Sequence, residues 1–120
     1  MQMATVFTPF DTYSVYYTAR GQDSLIAAAV VNCYRQGTWV GQIQFLPTSL
    51  PFNTGGGLGS NDLLILYFAS EQFQDVLAII RGEEPLALWF DLDAQYGYLV
   101  TTDQEPVGEL QGQAQQLAAR

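Results

Sequence analysis

The clearest pattern of apolar and polar positions lies in one short segment of the second half of the chain. Its apolar residues recur at i, i+3, i+4 and i+7, the spacing of one helix face: Phe73, Val76, Leu77 and Ile80. Glu71 stands near the start and Arg81 near the end, where the helix dipole favours an acid and a base, and Ser70 can cap the first turn. Gly82 follows as a stop signal. We therefore predict a helix over 71–81 that buries one face on a sheet.

Runs of β-branched, aromatic and aliphatic residues predict strands on both sides of that helix. Residues 39–46 end in an alternation between apolar residues and the polar Gln42 and Gln44, the period of a half-buried strand. Residues 62–68 are apolar on both faces, as in a strand at the centre of a sheet. The remaining predicted strands are 13–19, 86–93 and 98–102, of which the last two form a hairpin around residues 94–97. In this hairpin we expect Leu88 and Phe90 to face inward, and Trp89 and Tyr98 to face outward.

The segment 25–34, with the sequence LIAAAVVNCY, fits two structures. Three alanines, with Ser24 as a cap and Gly37 as a stop, favour a helix. Its second half suits a strand, and a turn at 34–38 would lead from that strand into the one at 39–46. We expect a strand in the middle of the sheet, whose small alanines leave room for a helix to pack across it.

The segment 47–61 contains two prolines and four glycines without a hydrophobic period, so we predict a flexible loop. It is either a plain connector or a flap over a site. The tail 103–120 is polar and rich in glutamine, and its residues 111–120 either fray or form a helical turn or two. We predict a single α+β domain over 1–120. A mainly antiparallel, twisted sheet of six to seven strands, barrel-like in one version, packs against the helix 71–81.

Charge excludes several classes of partner. The chain contains no histidine and no lysine, and four arginines face twelve carboxylates, which gives a net charge of −8. Negative charge without a basic cluster disfavours contact with the phosphates of nucleic acids and with anionic membranes. A basic protein is the charged partner that this balance allows.

The same composition removes most catalytic chemistry. The glycines at 55–59 invite comparison with phosphate-binding loops, but a P-loop requires a lysine, and a dinucleotide loop requires a helix where we predict a strand. Cys33 has no ordinary base to activate it and lies in a predicted buried strand. We therefore expect no enzymatic activity and no cofactor. A hydrolase of glycosides is the remaining alternative, since that reaction needs only two carboxylates.

Asp91 and Asp93 stand two residues apart, so both carboxylates lie on one face of a predicted strand. Oxygen ligands of this kind suit Ca²⁺ or Mg²⁺, but a closed site needs more of them. These two residues are therefore weak metal candidates, and a solvated hairpin end is their ordinary role.

The single cysteine cannot form an internal disulfide, and residues 1–5 are short and neutral, so we expect a cytoplasmic protein.

Aromatic residues provide the remaining functional signal, because the chain carries no motif diagnostic of a family. Tyr and Trp are enriched at protein interfaces, and the low charged share of 13% leaves apolar surface for a partner to cover. We predict a non-enzymatic, acidic interaction module that self-associates, most simply as a dimer, through an aromatic sheet face or edge. The alternative is a small-molecule binder with a pocket between sheet and helix beneath the 47–61 loop. The candidate interaction or ligand residues are Tyr13, Tyr17, Trp39, Trp89, Tyr98 and Arg35.

Overall fold

A computed structural model of the chain describes residues 5–19, 27–47 and 54–102. They form eight strands and one α-helix: β1 Thr5–Phe10, β2 Thr12–Tyr17, β3 Ala29–Arg35, β4 Thr38–Leu46, β5 Gly56–Leu58, β6 Leu64–Ala69, α1 Phe73–Gly82, β7 Leu86–Asp91 and β8 Tyr96–Thr101. Two short 3₁₀ turns, Ser60–Asp62 and Ser70–Gln72, precede β6 and α1. The predicted α+β class is confirmed. The predicted tail, 103–120, lies outside the described residues.

The described strands make two sheets rather than one. Five lie in the order β2–β3–β4–β6–β5 and three in the order β1–β7–β8. The prediction of one sheet of six to seven strands is therefore wrong, and the described strands close no barrel. The chain changes sheet at Asp11. The backbone N–H of Asp11 donates to the carbonyl of Tyr34 (2.8 Å), and its carboxylate accepts the backbone N–H of Gln36 (3.0 Å).

The five-stranded sheet is mixed. β4 and β6 are parallel, beginning with Gly41 opposite Leu64, while the other pairs are antiparallel. A parallel pair needs a crossover connection, which explains why the linking segment is long. The prediction of a loop over 47–61 is wrong at Gly56–Leu58, because these residues form β5, an edge strand that pairs with β6. Residues 48–53 lie outside the described residues.

The ambiguous segment is a strand from Ala29 onward, as we expected, while residues 25 and 26 lie outside the described residues. In β3, Val31 and Cys33 are fully buried on the face that meets the core. The first turn of α1 lies over the start of this strand, where Phe73 borders a small pocket together with Ala28 and Ala29. The alanines thus leave room for the helix, as their small size suggests.

The predicted helix is present, and all four residues of its apolar stripe are buried. Their burial contributes roughly 6–12 kcal/mol of gross stabilisation as an upper bound, so the stripe is what holds α1 on the sheets. The cap predicted at Ser70 is wrong. Instead, the backbone N–H of Ala69 donates to Oε1 of Gln72 (3.1 Å), before the α-helix begins. Arg81 lies in the last turn, as predicted.

The hairpin of β7 and β8 turns two residues earlier than predicted, so that Asp91 is opposite Tyr96. The predicted faces are nevertheless confirmed, because Leu88 and Phe90 are fully buried while Trp89 lies on the opposite face. The other neighbour of β7 is β1, which the sequence did not predict. Pro9 lowers the strand propensity of β1, but an edge strand tolerates proline.

The two sheets face each other, and α1 packs against the same core. Buried side chains from β1, β3, β4, β6, α1 and β7 form one continuous apolar cluster. Among the described residues, no polar or charged side chain is buried. Every polar or charged side chain of this part of the chain is therefore at least partly exposed to solvent.

Candidate functional site

The six candidate residues lie at three separate places. The structure assigns Trp89 and Tyr98 to the three-stranded sheet, Tyr13 and Tyr17 to the edge strand β2, and Arg35 and Trp39 to the β3–β4 hairpin. The sequence prediction therefore combined residues from different surfaces.

Trp89 and Tyr98 belong to a row of three aromatic rings. They are opposite each other in β7 and β8, with ring centroids 5.0 Å apart and planes at 49°. Phe7 of β1 lies opposite Trp89 on its other side. Residues directly opposite in antiparallel strands point to the same face, so the three rings cross the whole outer face of the sheet. Phe7 is 53% exposed and Tyr98 50%, with Trp89 half-buried between them. We call Phe7, Trp89 and Tyr98 the aromatic row.

Sequence reasoning missed Phe7 because it missed β1. A signal was present in the segment TVFTPF, where Val6, Thr8 and Phe10 alternate with the outward Thr5, Phe7 and Pro9. The alternation is short and ends in a proline, so it resembles an irregular segment until its partner strand is known. The row could be recognised only from the register of β1 on β7.

The second place is the edge strand β2 beside the helix. The rings of Tyr17 and Phe73 meet edge to face, with centroids 5.0 Å apart. They border a pocket of about 190 Å³, below the roughly 300–1,000 Å³ typical of ligand sites. Tyr13 borders another pocket of about 150 Å³, whose lining includes the carboxylates Asp11, Glu83 and Glu84.

The third place is a groove on the outer face of the five-stranded sheet, with a volume of about 390 Å³. Trp39 is 49% exposed beside it and lies opposite Tyr34, where a bulge shifts the register of β3 on β4. None of the lining side chains is charged. We call this the Trp39 groove; its lining is Trp39, Gln42, Gly59, Ser60, Asn61, Leu63 and Ile65.

Amide side chains beside the groove bind one another. Nε2 of Gln44 donates to Oε1 of Gln42 (2.7 Å), and Nε2 of Gln42 donates to Oδ1 of Asn32 (2.9 Å). Asn32 and Gln42 are opposite each other in β3 and β4. We call Asn32, Gln42 and Gln44 the amide ladder. The alternation of Gln42 and Gln44 was visible in the sequence, but the ladder depends on register and could not be predicted.

Arg35 is exposed at the end of β3. It precedes the tight turn of Gln36 and Gly37, whose φ angles of 51° and 84° favour a glycine at the second position. Arg35 borders none of the three pockets described above. Its position is therefore on the exposed surface of the hairpin, away from these three pockets.

Cys33 and Asp91, which were considered for catalysis and metal binding, have structural roles in the fold. Burial raises the pKa of the Cys33 thiol from 9.0 to about 12, which keeps it protonated and a poor nucleophile. Oδ1 of Asp91 accepts the backbone N–H groups of Asp93 (2.9 Å) and Ala94 (3.0 Å), a bonding pattern that fixes the hairpin turn. Within the described residues, no three side chains of His, Cys, Asp or Glu are grouped so that they could hold a metal ion.

Comparison with known proteins gives no relative: no family model, no curated protein and no solved structure matches this chain. In the part of the chain that the structure describes, no helix combines the length and the apolar character needed to cross a membrane. Function must therefore be inferred from the aromatic row, the amide ladder and the pockets.

Proposed function

We propose that this protein is a non-enzymatic interaction module that forms a homodimer through its aromatic row. The observation that carries the proposal is the register of Phe7, Trp89 and Tyr98, which brings three large rings together on one half-exposed face. Complete burial of a ring of this size removes 150–250 Å² from water and is worth about 1.5–3 kcal/mol, and the half-exposed Phe7 and Tyr98 still have roughly half of that to gain. Three of them can hold two copies together.

A second copy fits this face because the face can complement itself. β1 and β8 contain no charged residue, and Asp91 is the single charged residue of β7, at its end. Two copies related by a twofold axis would place one row against the other without burying a charge in the centre. The net charge of −8 opposes this contact. Salt should therefore strengthen the dimer by screening the repulsion.

The chemistry of the chain supports binding rather than catalysis. Histidine and lysine are absent from the sequence, and the thiol of Cys33 is buried and protonated. A single cysteine also fits a reducing compartment, so a cytoplasmic location is part of the proposal.

Sedimentation velocity tests the dimer. The variant that combines Phe7→Thr and Tyr98→Thr removes two rings and keeps residues that suit strands. We expect the wild type to dimerise as concentration rises and the double variant to remain a monomer with an unchanged circular dichroism spectrum. Tyr16→Thr is the matched control, because Tyr16 is 49% exposed on the other sheet. A wild type that stays monomeric, or a double variant that dimerises equally well, contradicts the proposal.

A basic protein is the second candidate partner, and one observation favours it. Asp11, Glu83 and Glu84 border the same small pocket as the ring of Tyr13, a combination that suits a lysine or arginine side chain. Such a complex would weaken with added salt, whereas the homodimer should strengthen. Measuring affinity between low and high salt therefore separates the two kinds of partner.

A further inference from the structure

We propose that the Trp39 groove binds a neutral saccharide. The groove is independent of the aromatic row, since the two lie on the outer faces of different sheets. Its volume of about 390 Å³ falls within the range of small-molecule sites, roughly 300–1,000 Å³, unlike the volumes of the pockets beside Tyr17 and Tyr13.

The aromatic wall of the groove fits one face of a sugar ring. Trp39 is half-exposed where it borders the groove, so part of its indole ring is accessible to a ligand. The face of an indole carries negative charge density from its π electrons. A pyranose presents several C–H bonds on one face, which are apolar and weakly positive, and these can stack on the indole. Leu63 and Ile65 extend the apolar part of the lining.

The polar wall fits the hydroxyl groups at the edge of such a ring. Gln42, Ser60 and Asn61 contribute amide and hydroxyl groups, which both donate and accept hydrogen bonds, as sugar hydroxyls do. The amide ladder holds Gln42 in one orientation, with Oε1 accepting from Gln44 and Nε2 donating to Asn32. Each amide has two N–H donors, and the bond to Asn32 uses one. Gln42 is thus oriented in advance, which lowers the entropic cost of binding.

Charge decides between classes of ligand. A phosphate or carboxylate ligand is disfavoured, because the groove has no cationic side chain and the chain carries a net charge of −8. A purely apolar ligand would cover the amide of Asn61 and the second N–H of Gln42 without giving either a hydrogen-bond partner, at a cost of about 1–3 kcal/mol each. A neutral polyhydroxylated ligand uses both walls of the groove and requires no charge.

The two tryptophans of the chain allow a direct test, because Trp39 lies in the groove and Trp89 lies in the aromatic row. Each gives its own indole N–H signal in a ¹⁵N-correlated NMR spectrum of the full chain. Maltohexaose, cellohexaose and xylohexaose should each be titrated to about 10 mM, well above a weak Kd of about 1 mM. We expect at least one of them to shift the Trp39 signal and leave the Trp89 signal in place. Oligogalacturonate, the charged counterpart, should shift neither signal.

Variants complete the test. Trp39→Ala should raise the Kd about tenfold or more, and Asn61→Gly should raise it while keeping a residue that tolerates the φ angle of 57° at that position. Tyr16→Ala, an exposed aromatic that does not line the groove, should leave the Kd unchanged. The proposal is overturned if no neutral hexasaccharide shifts the Trp39 signal. Equal shifts of both tryptophans, or a folded Trp39→Ala variant with wild-type affinity, also overturn it.

Discussion

Gly41 of β4 lies against Leu88 of β7, so close that a Cβ atom at position 41 would stand 2.6 Å from Leu88 Cδ1. On its other side the same Cβ would lie 3.2 Å from the carbonyl oxygen of Leu64, which is backbone and cannot move aside. The absence of a side chain here allows the two sheets to approach. We therefore expect Gly41→Ala to lower the free energy of unfolding by about 1–3 kcal/mol, measured by urea denaturation.

Gly82 provides the control for this substitution. A Cβ at Gly82 would have nothing within 4 Å, so Gly82→Ala should be neutral or stabilise by up to about 1 kcal/mol. Adding Leu88→Val to Gly41→Ala should recover part of the loss, because the shorter side chain relieves the close contact. If Gly41→Ala unfolds at the same urea concentration as the wild type, the two sheets do not pack through this contact.

Leu77→Asp tests the docking of α1. Leu77 is buried in the core, and a carboxylate there would lose its hydration without gaining a partner. We expect this variant to lose its cooperative thermal transition. Ala78→Asp adds the same charge to the neighbouring, exposed position and should melt almost as the wild type does. Similar melting curves for the two variants would show that the apolar stripe is not what holds the helix.

Asp91 tests the hairpin turn and the metal hypothesis together. Asp91→Ala removes the acceptor of two backbone N–H groups and should cost about 1–2 kcal/mol. Asp91→Asn keeps an acceptor oxygen, so it should cost less. Calorimetry should show no change of melting temperature on adding millimolar calcium to the wild type. A rise that Asp91→Asn abolishes would instead identify Asp91 as a metal ligand.

Cys33 should make stability depend on pH in the alkaline range. Burial raises the pKa of its thiol from 9.0 to about 12 in the folded protein, so the unfolded chain loses this proton first. The contribution is fully present below pH 9.0 and is lost as pH rises towards 12. Relative to Cys33→Ala, the wild type should lose unfolding free energy over this interval. Urea denaturation of both proteins at a series of pH values measures the difference between them, in which contributions common to the two proteins cancel. Parallel curves would contradict a buried thiol.

Features encoded within a few residues could be predicted from the sequence. The stripe of α1 repeats every three to four residues, and all four members are buried. The hairpin alternation likewise put Trp89 and Tyr98 on one outer face, and the register confirms it. In both cases the partners that decide the structure are neighbours in the chain, so local periodicity carries the information.

Features that depend on distant pairing could not be predicted. The division into two sheets follows from the pairing of β1 with β7, and the sequence around Phe7 and Pro9 contains no signal that identifies this partner strand. The amide ladder requires Asn32 to be opposite Gln42, which a one-residue shift of register would prevent. The aromatic row and the Trp39 groove likewise depend on the register between strands that are distant in the sequence. The surface features described above therefore follow from the register of the strands rather than from the composition of the chain.

The pairing of Thr5 with Asp91 also gives the nascent protein an order of assembly. All strands of the larger sheet lie between Thr12 and Ala69, so that sheet can form while synthesis continues. β1 must wait for β7, an interval of roughly ten seconds at 5–20 residues per second. During that time Phe7 and Phe10 have no partner strand to cover them. Among the described strands, the first to be synthesised is thus one of the last to gain its partner strand.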